Sequence, residues 1–171
     1  RPIGKSKPMY RAEEREPGFD PELFATHGEG VILLTGCRQG RLSQLVNLGH
    51  FREAEALLRQ YIEWLGADQV VVELQHNLVY GDTQRVERLV QLADHVGVRY
   101  AATGNVHYHL PDRHRLQDVL VAIQHRSTLD ASHRERRPNG QFFLRSADQM
   151  AALFARFPQA LETTVLIGER C

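Results

Sequence analysis

The alternation of apolar and polar positions divides the chain into runs of two kinds. Residues 31–35 (VILLT), 70–74 (VVVEL) and 98–103 (VRYAAT) are short, rich in β-branched side chains and bounded by glycine or polar residues, the pattern of strands in a parallel sheet. The first is an unbroken apolar run, which predicts a strand buried on both faces. Other stretches repeat apolar residues at spacings of three and four, as one face of a helix does. Ala54, Leu57, Leu58, Tyr61, Ile62 and Leu65 form one such stripe, which stops at Gly66. Val86, Leu89, Val90, Ala93 and Val96 form another after Gly81 and Asp82, ending at Gly97. Leu116, Val119, Leu120 and Ile123 form a third after Pro111 and Asp112. No element is assigned between Cys37 and His50.

The ends follow the same logic. Asp20 before Pro21 predicts a helix start, an N-cap and then a residue whose φ is already helical, with Gly28 or Gly30 closing a short helix near His27. Residues 142–144 predict a short edge strand, 146–154 a capped helix and 158–169 a last helix carrying Leu161, Val165 and Ile167. Strand and helix thus alternate three times, with connections long enough for right-handed crossovers. That order predicts an α/β fold with a parallel sheet, open or closed. Residues 1–19 hold Pro2, Pro8, Pro17, Gly4, Gly18 and mixed charges, and are read as a linker or extended arm.

Composition changes this picture in a few places. A chain of 171 residues with 42% hydrophobic content predicts one packed domain. Lysine plus arginine equals aspartate plus glutamate at 21 each, so no overall basic field is present and any contact with nucleic acid must be local. The polar stretch 125–140, with its RERRPNG run, is read as a solvated loop, with a basic contact to nucleic-acid phosphate as the alternative. Cys37 and Cys171 form neither a CxxC pair nor a disulfide framework, which predicts a reducing compartment, the cytoplasm. No apolar run reaches the roughly 18 residues that span a bilayer, so no membrane partner is expected. The first residue is Arg1 rather than Met, which suggests a processed product or a fragment. GxGxxG, Walker and GxSxG signatures are absent, which removes the glycine-loop nucleotide cradles and the serine-hydrolase elbow.

Candidate chemistry concentrates in residues 100–118 (YAATGNVHYHLPDRHRLQD). An extended chain through Tyr108 would place Asn105, His107 and His109 on one face, since residues two apart point the same way. The carboxyl ends of parallel strands are where ligands collect. One amide and two imidazoles there could hold a divalent metal, or the histidines could be ordinary surface residues. Cys37, at the end of the first strand, is either a ligand or a small apolar filler. His76 is a lone histidine and is assigned to a loop.

Three segments taken together, VILLTGCRQG, VVVELQHN and YAATGNVHYHLPDRHRLQDVLVAI, followed by QFFLRSADQMAALFARFPQALETTVLIGERC, resemble the polymerase-and-histidinol-phosphatase (PHP) domain of C-family DNA polymerases. The resemblance covers roughly residues 20–171, and the Asn105 variant with His109 and the RHRLQD segment is most similar to the error-prone branch. It implies a partial, distorted (β/α)7 barrel with metals at the carboxyl ends of its strands. It divides the chain into an arm (1–19), the C-terminal part of the PHP domain (20–126), and a loop with helices leading toward a polymerase region (127–171). Cys37, Asn105 and His107 fall on the family's metal positions, with zinc or manganese as the implied metal. Asn105 stands where the family has an aspartate ligand, which removes one negative charge, and the family's opening His-x-His motif finds no match in residues 1–19.

The implied parent is a DNA-directed DNA polymerase, a nucleotidyltransferase that uses magnesium and acts in damage-induced mutagenesis and translesion synthesis. Its partners would be DNA, the palm and thumb domains of the same chain, and other replication or mutagenesis proteins. The fragment itself would be a scaffold with a vestigial phosphoesterase or exonuclease site, inactive alone. A stand-alone phosphoesterase of the same fold and a purely structural module are the alternatives.

Overall fold

The computed structural model describes residues 23–171, so the arm expected over 1–19 and the helix start at Asp20 and Pro21 lie outside the described residues. Seven α-helices and three strands follow in the order α1 (Leu23–His27), β1 (Leu33–Leu34), α2 (Arg41–Leu48), α3 (Phe51–Leu65), β2 (Val70–Gln75), α4 (Asp82–Val96), β3 (Arg99–Thr103), α5 (His114–Gln124), α6 (Ala147–Leu153) and α7 (Pro158–Arg170) among the described residues. The strands form a parallel sheet in the order β1, β2, β3, with Leu33 opposite Val70 and Gln75 opposite Thr103. The fold is α/β, as the alternation predicts.

The central strand explains the layering. Val70, Val72 and Leu74 alternate onto one face and join the buried cluster built with Leu58 of α3, Leu89 of α4 and Phe154, so three β-branched or leucine positions serve the helix-covered side. On the opposite face of the sheet Val71 is buried and Glu73 accepts hydrogen bonds from Gln75 Nε2 (2.7 Å) and from the Thr103 hydroxyl. Thr35 extends this polar row, its Oγ1 accepting from the Glu73 amide at 3.0 Å. One face is thus apolar and packed, the other a ladder of polar side chains across all three strands. Helix α7 packs along β3, where Thr164 Oγ1 donates to Ala102 O at 2.9 Å. Helix α6 begins at a capping box, Ser146 accepting from the Gln149 amide while the Gln149 side chain returns to the Ser146 amide.

Four expectations are corrected. The first strand is not buried on both faces: Leu33 and Leu34 are half-buried, because β1 is two residues long and pairs only with β2 among the described residues. Residues 41–48 form a helix that the sequence reading left unassigned; Leu42 and Val46, one turn apart, are its buried contacts. The third strand ends at Thr103 as expected, but the chain does not stay extended through Tyr108, because Gly104 is followed by Asn105 at φ 45°, a left-handed conformation that ends extended pairing. Residues 142–144 are reduced to a single parallel bridge between Tyr108 and Phe143.

Leu58 is fully buried whereas Leu48 is 70% exposed. Leu58→Ala should lower unfolding free energy in urea by about 2–5 kcal/mol, through lost burial and a residual cavity. Leu48→Ala should change it by no more than about 0.5 kcal/mol. Equal effects would show that the core has been misplaced.

Candidate functional site

The carboxyl ends of all three strands open on one edge of the sheet, and each sends out a different chemistry. After β1 the chain turns through Gly36 and Gly40. Gly40 donates its amide to Cys37 O at 2.7 Å, and a Cβ on it would meet the Cys37 and Thr35 carbonyl oxygens at 2.9 and 3.0 Å. Only glycine fits this tight loop, which holds half-buried Cys37 and exposed Arg38 at its tip.

After β2 the chain is gathered by one carboxylate. Asp82, 1% exposed in the first turn of α4, accepts from the amides of Asn77 (2.8 Å) and Val79 (3.1 Å) with one oxygen. With the other it accepts from Arg85 Nη2 at 2.7 Å, and the Arg38 guanidinium lies 3.6 Å away. Arg85, 3% exposed, also donates to Gln75 O at 3.1 Å. Buried Asn77 carries the network outward: its Nδ2 donates to Gly104 O and to Gln141 O, both at 3.0 Å. Asn139 Nδ2 returns the contact to Asn77 O at 2.9 Å. One buried carboxylate and two asparagines therefore tie the ends of β2 and β3 to the segment around residue 140. Nearly every buried polar atom of the cluster is satisfied, as burial requires.

Leu78, at φ 54°, is held in this turn. Its amide donates to His76 Nδ1 at 3.3 Å, and His76 Nε2 lies 3.0 Å from Thr83 Oγ1. An Nδ1 that accepts places the proton on Nε2, so His76 is the neutral tautomer that joins the loop to the start of α4. Burial is the main cause that holds its pKa below the usual imidazole value, against the pull of Asp82.

These turns enclose a cavity of about 330 Å³ lined by Cys37, Arg38, Asn77 and Asn105 on one side and by Arg134 and Arg137 on the other. Residues 134–138 line it, and 136–138 also line a second cavity of about 380 Å³ that reaches α5. Cys37 and Asn105 therefore meet in one space. His107 stands behind it: its amide donates to Phe142 O at 2.8 Å and its ring meets the Phe142 ring edge-on at 5.9 Å. Its Nε2 is buried without a hydrogen-bond partner. Burial first, and the Arg137 guanidinium second, push the His107 pKa down; Arg137 itself lies over the Phe142 ring at 5.4 Å. His109 is exposed and does not join the cavity.

Among the described residues no group of three or more His, Cys, Asp or Glu is placed to hold a metal ion. The donors that do meet, a thiol and a neutral amide, share the cavity with five arginines, Arg38, Arg85, Arg134, Arg136 and Arg137, against two carboxylates, Asp82 and Glu135. That excess opposes a divalent cation and favours an anion with several acceptor oxygens. The sequence reading singled out Cys37 and Asn105 but missed Asp82, Arg85, Asn77 and Arg38. The one available signal was the Gly81-Asp82 pair, read only as a helix start.

Compared with known proteins, residues 4–77 match the PHP domain family. The chain is 33% identical over 166 residues to the DNA polymerase III subunit alpha of Treponema pallidum, covering 97% of this chain and 14% of that protein. It is 38% identical over 155 residues to the error-prone DNA polymerase of Nocardia farcinica, covering 87% and 14%. With the error-prone DNA polymerase of Mycobacterium bovis it shares 35% identity over 167 residues, 98% and 15% of the two lengths. The chain thus spans about one seventh of these relatives.

Two outcomes follow from the cluster. Asp82→Ala leaves Arg85 buried without its counter-charge and should cost about 3–5 kcal/mol in chemical denaturation; a loss below 1 kcal/mol would contradict the buried pair. The pH dependence has a definite sign. His76 and His107 bind protons less readily folded than unfolded, so the unfolded chain takes up more protons as pH falls through the ordinary value of 6.5. Thermal stability should therefore be full above that value and fall below it, and the paired variants His76→Asn and His107→Asn should flatten the slope. A slope unchanged by both substitutions would count against this assignment.

Proposed function

We propose, from the premise that this chain carries a PHP domain homologous to that of DNA polymerase III alpha subunits and error-prone DNA polymerases, that it is the scaffold part of a longer DNA-directed DNA polymerase of the error-prone alpha type. In this reading the three parallel strands belong to a distorted barrel of seven strand and helix units. The polar ladder of Thr35, Glu73, Gln75 and Thr103 lines the inner side of that barrel. Residues 20–126 are the C-terminal part of the PHP domain, and α6 and α7 lead on toward the polymerase region. The parent extends DNA with magnesium and acts in the cytoplasm on damaged templates, with its own palm and thumb and other mutagenesis proteins as partners. A reading frame that continues into a polymerase palm carrying paired aspartates supports this; a frame coding for no such region refutes it.

At the strand ends, Cys37, Asn105 and His107 are the remnant of a metal pocket for zinc or manganese, and phosphodiester is what the cavity now accommodates. The observation that carries this is the excess of arginines, Arg38, Arg134 and Arg137 among them, that share the cavity with Cys37 and Asn105. Arginine forks suit phosphate oxygens, and of the two carboxylates that line the cavity, Asp82 and Glu135, the first is already ion-paired with Arg85. A stand-alone phosphoesterase would need a cluster of metal-ligating side chains, and among the described residues none of three or more is present, so the scaffold reading is favoured.

Two measurements test it. Binding of a fluorescent single-stranded oligonucleotide should weaken in Arg134→Ala and Arg137→Ala, with the salt slope falling by about 0.7 for each arginine removed. Slopes equal to that of the unaltered chain would contradict the assignment. A zinc titration should show no binding at micromolar concentration or tighter, and tight stoichiometric uptake would overturn the loss of the metal pocket.

A further inference from the structure

Helix α5 is amphipathic with its polarity turned outward. Leu116, Val119, Leu120 and Ile123, spaced by three, four and seven residues, are 52%, 39%, 51% and 66% exposed. The opposite face carries His114, Gln117 and Asp118 and is the one turned toward the protein. Asp118 is ion-paired with Arg136 at 3.0 Å, the His114 ring lies against Gly140, and Ala122 is buried. The helix is pinned by these contacts, so the apolar stripe cannot roll inward without breaking the ion pair to the cavity wall. Exposed Arg113, Arg115 and Gln124 flank it. An apolar centre with a polar rim on one helix face is how a helix presents itself to a partner groove, whereas scattered single leucines are ordinary surface.

We propose that this face of α5 is the surface on which the remainder of the longer polymerase polypeptide packs. The proposal rests on the reading of the chain as part of such a polymerase. What selects that occupant is the extent of the similarities. Similarity to the DNA polymerase III subunit alpha of Treponema pallidum runs over 97% of this chain and only 14% of that protein. The stripe therefore lies in the portion shared with polymerases, and some six sevenths of such a protein is available to cover it. The partner it fits is an apolar helix or groove of the same polypeptide, acidic at its border where it meets Arg113 and Arg115.

The test compares the 171-residue chain with the full-length protein encoded by its gene, each carrying Leu120→Cys. Modification by a maleimide is followed at that peptide by mass spectrometry, which separates it from Cys37 and Cys171. Labelling should be slower in the full-length protein by at least about tenfold, since a docked face open in a tenth of molecules or fewer reacts only through that fraction. In parallel, Leu120→Asp should leave the melting temperature of the 171-residue chain unchanged and should lower that of the full-length protein. Equal labelling in the two forms, or an Asp variant silent in both, overturns the docking surface while leaving the polymerase reading intact. Dimerisation of the short chain abolished by Leu120→Asp would make a second copy the occupant and also overturn it. A full-length protein with no polymerase region would remove the premise itself.

Discussion

The structure depends on a single buried carboxylate. Asp82 holds one strand-to-helix turn by two amide hydrogen bonds and one guanidinium by an ion pair, and everything at the working edge of the sheet is placed relative to that turn. A charge 1% exposed is costly to desolvate, and the cost is offset only because Arg85 and the two amides satisfy both oxygens at once. Asn77, fixed by Asp82, then orders Gly104, 27 residues on, and through Gln141 O and Asn139 a segment more than sixty residues away. In physical terms the cavity is a consequence of this polar knot, and the apolar core beneath it supplies the stability on which the knot stands.

Legibility in the sequence followed the range of the interactions. Helices α3 and α4 and strand β2 are written in local periodicity, since each buries a face whose apolar spacing is visible within one window, and their glycine stops stand where they are expected. The burial of β1 was misread because an apolar run says nothing about which neighbours are present. The extended run through Tyr108 was misread because Asn105 tolerates a left-handed turn that alternation alone cannot reveal. Helix α2 was passed over because the two glycines of its preceding loop drew attention away from Leu42 and Val46. The polar knot was invisible for a different reason: its partners are joined by contacts such as Asn77 to Gln141, and no short motif records those.

The candidate site shows the same division. Cys37 and Asn105 were recognisable as residue types at strand ends, and they do share a cavity; the arginines that decide its electrostatic character were not recognisable as a wall. RERRPNG reads first as a solvated loop, and only the structure shows Arg136 anchored to Asp118 and Arg137 seated on Phe142. The same anchoring fixes the outward roll of α5, so the arginine loop governs both the cavity and the apolar face behind it.

The claim that Asp82 organises this edge is tested most directly by hydrogen exchange at the amides of Asn77 and Val79. Both lie in a loop, where unrestrained amides exchange almost freely, yet both donate to a buried carboxylate. The account predicts protection approaching that of the Val72 amide in the central strand, lost in Asp82→Asn before the strand itself opens. Exchange of Asn77 and Val79 at free-loop rates in the unaltered protein would contradict it.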